Sequence, residues 1–198
     1  HGGSLLQHLK ELSLHTNVKP KDKMLFLTTC GWMMWNWTVS NLLLGSGITL
    51  YDGSPFYPTK NRVVQLTKKS KSNILGAGAK IYEAIQNNQK SNQKNIIPNI
   101  KCFISTGSPL NKSTFQFINN TLNQKSFVHS ISGGTDIVSC FMLGIPTKPV
   151  YAGEIQGPGL GMDIDVFNEK GKSTKQTGEL VCKTPFPSKP VYFWNDKN

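Results

Sequence analysis

Short apolar runs alternate with helical patterns over the first two thirds of the chain, and this alternation constrains the fold more than any other feature. The runs lie between turn-forming residues, at 24–28, 47–51, 74–75, 100–105 and 127–131. Helical periods fill the intervals, at 35–44, 62–69, 79–87 and 113–122. Because a helix between two strands lets them lie parallel, the sequence predicts the α/β class, a mostly parallel sheet with flanking helices.

The N-terminal part of the chain and one internal stretch add to this pattern. Leucines recur at helical spacing over residues 5–12, and Ser4 is available as a helix cap. Another helix is expected to end at Gly45, a residue suited to the left-handed conformation. Residues 86–99 are mostly polar and are expected to form a surface excursion.

The pattern changes after about residue 145, where glycine and proline become dense. Two strand patterns follow at 162–167 and 179–183, and a turn sequence lies between them. We therefore expect residues 1–145 to be the α/β part of a large domain and residues 146–198 to be the start of a β-rich subdomain.

The chain is strongly basic, with a formal net charge of +11 over 198 residues. Its positive charges are almost all lysines, and Arg62 is the only arginine. Proteins that read nucleic acid depend heavily on the planar arginine fork, and the lysines here are spread along the chain. This favours a compositional bias without a nucleic-acid partner, although a Lys-rich binding module remains an alternative.

The four cysteines are widely spaced, at Cys30, Cys102, Cys140 and Cys182. This spacing fits neither a zinc site nor a redox pair, and it is typical of free thiols in a cytoplasmic protein. No apolar run approaches the roughly 18 residues that a membrane-spanning helix needs. We therefore expect a cytoplasmic protein without a membrane span.

Two loops rich in Gly, Ser and Thr directly follow predicted neighbouring strands, at 105–109 and 130–136. Open parallel sheets bind ligands at the carboxyl ends of their strands. Glycine lets the backbone approach a nucleotide, a threonine hydroxyl can bond a phosphate, and an aspartate can hold Mg²⁺. The residues alone leave two alternatives open, a nucleotide site and a pair of ordinary turns.

A cluster of Trp and Met residues at 32–37 is large and apolar. From the pattern alone, a core cluster is favoured over the wall of a pocket. The four histidines do not occur at the spacing of a metal or triad motif.

Four segments, taken together and in this order, resemble the adenylate-forming superfamily, which contains acyl-CoA synthetases, luciferases and the adenylation domains of peptide synthetases. They are TTCGWMMWNW at 28–37, STGSPL at 105–110, SGGTD at 132–136, and GELVC at 178–182 with FWND at 193–196. Within the superfamily the chain is most similar to the branch that activates acetoacetate. The resemblance covers nearly the whole chain.

The resemblance implies a role for individual residues. It implies that Thr135 contacts the α-phosphate of ATP and that Asp136 lies near Mg²⁺, where much of the superfamily has glutamate. The positions expected to bind the nucleotide are Gly107, Ser108, Pro109, Ser132, Gly133 and Gly134. The positions expected to line the acyl pocket are Trp32, Met33, Met34 and Gly133.

Gly133 matches a position where related acetate-activating enzymes carry a bulky tryptophan. The resemblance suggests that glycine opens the pocket for a longer acid, so that a Gly133→Trp variant is expected to prefer acetate.

The implied reaction joins acetoacetate to coenzyme A through an acyl-adenylate, with Mg-ATP as the energy source. The resemblance also implies that the phosphate loop precedes His1, and that the ribose-binding aspartate and a small C-terminal domain with a catalytic lysine follow Asn198. We therefore expect a central fragment that is inactive alone. The alternatives are another short-chain acyl-CoA synthetase and a non-catalytic pseudo-enzyme.

Overall fold

A five-stranded parallel sheet forms the centre of the computed structural model, which describes residues 1–89 and 94–196. The spatial order of its strands is β2-β1-β3-β4-β5. The strands are Lys23–Phe26 (β1), Gly47–Thr49 (β2), Ile74–Gly78 (β3), Cys102–Thr106 (β4) and Phe127–Ser130 (β5). Every neighbouring pair in this sheet is parallel, which confirms the predicted fold class.

Helices connect the strands and flank the sheet. Two of them continue as π-helical turns, and one continues as a 3₁₀ turn. They are α1 (Gly2–Lys10, continued by Glu11–His15), α2 (Met33–Ser40, continued by Asn41–Leu44), α3 (Arg62–Ser70), α4 (Ala79–Asn88) and α5 (Lys112–Phe117, continued by Ile118–Leu122). The 3₁₀ turn after α2 ends as predicted at Gly45, whose φ is +68°.

The side chains of β1 show why both faces of the sheet are covered. Successive residues of a strand point to opposite faces, and Leu25 packs in one core while Met24 and Phe26 pack in the other. The first core contains residues of α3, α4 and α5, such as Tyr82. The second contains residues of α1 and α2, such as Trp37. The helices therefore lie on both sides of the sheet.

Gly76 on β3 leaves room for the ring of Phe26. The two residues are partners in the parallel register, and a Cβ on Gly76 would lie 2.1 Å from Cδ2 of Phe26. The Phe26 ring makes edge-to-face contacts with Trp32 and Trp37, at centroid distances of 6.1 and 6.3 Å. Because Gly76 has no side chain, the Phe26 ring can pack over β3 and contact both Trp32 and Trp37 on the same face of the sheet.

The chain changes to antiparallel pairing directly after β5. Ser132–Gly134 (β6), Ser139–Leu143 (β7) and Gly157–Pro158 (β8) form one antiparallel sheet, while Ile164–Phe167 (β9) and Glu179–Cys182 (β10) form another. The connection from β6 to β7 is too short for the crossover that parallel strands need. The antiparallel part therefore begins before residue 145, and the predicted division into domains at that position stays a prediction.

Helix α1 forms where the leucine spacing predicts a helix, but its orientation differs from that of an ordinary amphipathic helix. It begins at Gly2, so Ser4 does not cap it. Leu5 and Leu6 are 44% and 57% exposed, whereas the polar residues Gln7 and Glu11 are completely buried. The inner face of α1 meets backbone and polar groups of the antiparallel sheet, which its polar side chains can satisfy.

The polar stretch at 86–99 is only partly described, since residues 90–93 lie outside the described residues. Its last part returns to the core: Ile97 is buried, and its N–H donates to the carbonyl oxygen of Leu122 at 3.0 Å. Among the described residues, no helix combines the length and apolar character that crossing a bilayer requires.

Candidate functional site

A cavity of about 390 Å³ lies at the carboxyl ends of the parallel strands. Its volume falls within the range of small-molecule sites. Segments that follow β1, β4 and β5 supply most of its lining, together with residues of β7 and of the loop before β8. The lining residues are Trp32, Met33, Met34, Thr106, Gly107, Ser108, Pro109, Leu110, Ser130, Ile131, Ser132, Gly133, Gly134, Thr135, Cys140, Gly153 and Ile155.

The first side of the cavity is an aromatic wall, formed by Trp32, Met33 and Met34 at the start of α2. The sequence pattern favoured a core cluster here, and that is only partly right. Trp37 and Met34 are 1% exposed and belong to the core, whereas Trp32 is half-buried beside the cavity. Trp32 also packs against the Phe26 ring, in the edge-to-face contact described above.

The second side is a loop wall, formed by residues 106–110 after β4. Gly107 has a φ of +84°, in the left-handed region where a side chain is disfavoured. A Cβ at this position would lie 3.6 Å from Cζ2 of Trp32, so the loop wall and the aromatic wall approach each other here. The hydroxyl of Thr106 donates to the carbonyl oxygen of Ile131 at 3.1 Å and connects the ends of β4 and β5.

The third side is a hairpin wall, formed by Ser132, Gly133, Gly134 and Thr135 on β6 and its turn. Gly133 pairs with Cys140 of β7, and a register shift separates Ser132 from Gly133. A Cβ on Gly133 would lie 2.1 Å from the carbonyl oxygen of Ser139. Real Cβ atoms do not approach a backbone oxygen so closely, so any side chain at this position would displace β7.

This contact gives a reason for the glycine at position 133 that the sequence does not reveal. Gly133 lines the cavity, and the close approach of β7 leaves no room for a Cβ in the hairpin as it stands. The expectation that glycine opens the pocket for a longer acid stays a prediction, and a Gly133→Trp variant would have to displace β7 as well.

The turn between β6 and β7 carries the last two predicted residues. The N–H of Val138 donates to the carbonyl oxygen of Thr135 at 3.0 Å and closes the turn. Val138 has a φ of +50°, an unusual value for a β-branched residue. Thr135 lines the cavity, whereas Asp136 does not.

Asp136 instead lines a neighbouring cavity of about 530 Å³. Asp196, Lys183 and Lys189 lie on the same lining. The structure therefore brings together every predicted site residue except Asp136, which is one position beyond the hairpin wall. Their chemical roles stay predictions.

Sequence reasoning missed some of the lining, most clearly Cys140, Gly153 and Ile155. Cys140 reaches the cavity through its pairing with Gly133, which the sequence does not reveal. Gly153 has a φ of +88° in a segment that the sequence marks only as rich in glycine and proline. Its position in that segment is the one signal that could have indicated a turn at the cavity.

The cavity lining is electrically neutral among the described residues, with no Lys, Arg, His, Asp or Glu. Burial raises the pKa of the Cys140 thiol well above its ordinary value, and the nearby Glu11 carboxylate raises it further. Because the thiolate is the reactive form, Cys140 is not poised as a nucleophile. The lining suits a ligand with a neutral ring and hydroxyl groups. Positive charge that would balance a phosphate has to come from groups outside this lining.

Within residues 1–89 and 94–196, no cluster of three or more His, Cys, Asp or Glu side chains could form a metal site from protein alone. Asp136 and Asp196 nevertheless line the same cavity. One or two carboxylates are what Mg²⁺ uses when substrate phosphates and water complete its coordination. This donor set fits a magnesium ion shared with a phosphorylated substrate.

Comparison with known proteins supports the resemblance seen in the sequence. Acetoacetyl-coenzyme A synthetase of Rhizobium meliloti (strain 1021) is 46% identical over 197 residues, which are 98% of this chain and 30% of that protein. Acetoacetyl-CoA synthetase of Mus musculus is 44% identical over 199 residues, covering 100% of this chain and 30% of the relative. The chain thus spans about 30% of the length of these curated relatives.

The fold gives the same result. The solved structure of an acetoacetyl-CoA synthetase from Streptomyces lividans matches with a TM-score of 0.86 and 37% sequence identity. The match covers 98% of this chain and 31% of that chain. Residues 1–192 also match the family described as AMP-binding enzyme. With a match over nearly its whole length, the chain belongs to the AMP-binding enzyme family.

Proposed function

We propose that the protein containing this chain is an acetoacetate–CoA ligase. It would convert acetoacetate, ATP and coenzyme A to acetoacetyl-CoA, AMP and diphosphate. One observation carries the proposal: three walls surround a single neutral cavity. The aromatic wall is apolar, whereas the loop and hairpin walls are rich in Gly, Ser and Thr. The relatives that are similar over the whole chain carry the name of this activity.

The walls suit different parts of the reactants. The aromatic wall offers Trp32, Met33 and Met34 to the short carbon chain of the acid, where burial of apolar surface supplies affinity. The loop wall offers the backbone of Gly107 and Ser108 together with the Pro109 ring to the flat adenine. The hairpin wall forms the third side of the same cavity and would face the reacting α-phosphate.

The first half-reaction forms the acyl-adenylate. A carboxylate oxygen of acetoacetate attacks the α-phosphorus of ATP, and the bond to diphosphate breaks. Thr135 lines the cavity, and its hydroxyl would donate to an oxygen of the α-phosphate, whose charge the neutral lining does not balance. Asp136 and Asp196 would hold the magnesium ion, which when bound offsets phosphate charge.

The second half-reaction transfers the acyl group. The sulfur of coenzyme A attacks the acyl carbon, the thiol proton is released, and AMP leaves with its phosphate oxygen. The protein contributes positioning and charge stabilisation in both halves. The Cys140 thiol remains a spectator, because its raised pKa keeps it protonated. A cytoplasmic location is proposed as well, since all four cysteines carry free thiols.

A substrate panel on the full-length protein tests the proposal. Diphosphate release is measured with ATP, Mg²⁺ and acetoacetate, and then with acetate, propionate or butyrate in place of acetoacetate. We expect the highest kcat/KM with acetoacetate. A higher kcat/KM with another acid would identify a different short-chain acyl-CoA synthetase, and no release with any acid would identify a non-catalytic protein.

A matched pair of tryptophan variants tests the aromatic wall. A Trp32→Leu change should raise the KM for acetoacetate roughly tenfold, because apolar contact with the acid is lost. Trp35→Leu is the control, since Trp35 is also half-buried but is absent from the cavity lining. An equal KM in both variants would argue against the aromatic wall as the acid site.

A further inference from the structure

The inner face of α1 and of its π-helical continuation is polar, and it contacts the strand behind the hairpin wall. Gln7, His8, Glu11 and His15 are all buried, at 0–3% exposure. None of the four lines the cavity. Buried polar groups cost free energy unless they are hydrogen-bonded, so their partners show what this face does.

Glu11 is the centre of this contact. Oε1 accepts hydrogen bonds from Nε2 of Gln7 at 3.0 Å, from the hydroxyl of Ser139 and from the N–H of Cys140 at 3.2 Å. Oε2 accepts a hydrogen bond from Nε1 of Trp37 at 2.9 Å. Among the described residues no salt bridge reaches Glu11, so neutral donors alone hold this buried carboxylate.

The donors to Glu11 belong to two different sides of the cavity. Ser139 and Cys140 pair with Gly134 and Gly133, so they stand directly behind the hairpin wall. Trp37 contacts the edge of the Phe26 ring, and Phe26 in turn supports Trp32 of the aromatic wall. One carboxylate thus connects the hairpin wall with the support of the aromatic wall.

Neighbouring residues of the same face extend the contact along β7. The carbonyl oxygen of Val138 accepts a hydrogen bond from Nε2 of His8. Nδ1 of His15 donates to the carbonyl oxygen of Gly144 at 2.8 Å, and Nε2 of His15 accepts from the N–H of Leu160 at 3.0 Å. The helix therefore holds both ends of β7, and Glu11 holds the first two residues of the strand.

We propose that Glu11 is a positioning residue that sets the separation between the aromatic wall and the hairpin wall. The proposal rests on the proposed function, because the cavity between these walls is taken to bind acid and nucleotide. Glu11 is fully buried and lies outside the lining, so it acts through Ser139, Cys140 and Trp37.

A Glu11→Gln change alters this contact without changing its volume. The amide oxygen can take the place of Oε1, where three donors point. The amide NH₂ then faces Nε1–H of Trp37, and two donors oppose each other. Either orientation of the amide breaks at least one bond, and an unsatisfied buried donor is costly.

The test uses steady-state kinetics of the full-length protein. We expect Glu11→Gln to raise the KM for both acetoacetate and ATP by roughly fivefold, the effect of one lost hydrogen bond, and to lower selectivity for acetoacetate over acetate. Leu12→Val is the control: Leu12 is buried on the same π-helical turn, and the change removes one methylene without touching a hydrogen bond.

Two further variants keep the test decisive if Glu11→Gln does not fold. Ser139→Ala removes one donor on the hairpin side and should lower selectivity in the same direction. Trp37→Phe removes the donor on the aromatic side, and in that background the effect of Glu11→Gln should shrink, because the opposed donors are gone. Unchanged selectivity in Ser139→Ala, or equal KM values in Glu11→Gln and Leu12→Val, would overturn the proposal.

Nucleotide binding separates this inference from the proposed function. AMP affinity is measured by titration calorimetry on the wild type and on Glu11→Gln. If the wild type activates no acid, the proposed function fails, while weaker AMP binding by Glu11→Gln would still support the positioning role. AMP affinity equal to that of the wild type would overturn the positioning role.

Discussion

The carbonyl oxygen of Ser139 lies 2.1 Å from the point where a Cβ of residue 133 would be. This relationship between Gly133 and Ser139 explains the glycine in the hairpin wall without reference to any substrate. The two strands are in such close contact that only a hydrogen atom fits between them. The residue type at position 133 in the site is therefore determined partly by the packing of β7 against the hairpin wall.

The first prediction follows from that contact. Gly133→Ala should destabilise the protein by about 2 kcal/mol, as overpacking does, and should lower acyl-adenylate formation without raising the preference for acetate. Gly134→Ala is the matched control for stability, because its Cβ would lie 3.9 Å from Cγ1 of Ile137, an ordinary contact. Thermal unfolding and diphosphate release measure both effects. A stable Gly133→Ala variant with a higher preference for acetate would support the pocket-opening explanation.

The second prediction concerns the loop wall. Gly107→Ala forces a side chain into the left-handed region at a φ of +84°, which costs about 1 kcal/mol or more. The strain should shift the loop away from Trp32 and raise the KM for ATP several-fold. Gly31→Ala is the control, since its nearest neighbour would be 4.0 Å away and its φ is not in the left-handed region. Equal KM values for ATP in both variants would exclude this role of the loop backbone.

The third prediction is a dependence of stability on pH. Burial, with a smaller contribution from the charge of His15, lowers the pKa of His129 from 6.5 to about 4. Because the folded protein binds this proton less well than the unfolded chain, the stabilisation is complete above pH 6.5 and is lost as the pH falls towards 4. The full difference is about 3 kcal/mol.

Unfolding midpoints between pH 7.5 and about 4.5 measure this loss for the wild type and for His129→Leu. The variant should show a smaller decrease. It should keep some pH dependence, because burial also lowers the pKa of His15. Identical pH profiles for the two proteins would show that His129 does not titrate as the structure implies.

The fourth prediction concerns the metal. Asp136→Asn should increase the concentration of Mg²⁺ needed for half-maximal diphosphate release by roughly tenfold, because a carboxylate ligand is lost. Asp52→Asn is the control: it removes one exposed carboxylate that lies on the lining of neither cavity. The same Mg²⁺ dependence in both variants would mean that another residue holds the metal.

The fold could be predicted from the sequence because its strands are short apolar runs between turns. The loops after β4 and β5 could also be expected to meet, since parallel neighbours end at the same edge of a sheet. The predicted helix at 113–122 is present, although it changes from α-helix to π-helix at Ile118. Local pattern and tertiary structure agree over these elements.

The rest depends on contacts between distant parts of the chain. The leucine spacing of α1 does not reveal that the helix buries Glu11 instead of Leu5, because the polar groups it meets belong to β7. The reason for Gly133 depends on its pairing with Cys140. Asp136 leaves the cavity because the turn closes at Thr135 and Val138, a detail of backbone conformation.

The packing of Phe26 over Gly76 has a consequence for redesign of the acid pocket. Trp32 rests on Phe26, and Phe26 occupies the space that Gly76 leaves on the neighbouring strand. The double substitution Gly76→Ala and Phe26→Leu could therefore change the depth of the pocket, while every residue that faces the ligand stays the same. Over evolutionary time the two positions should change only as a pair.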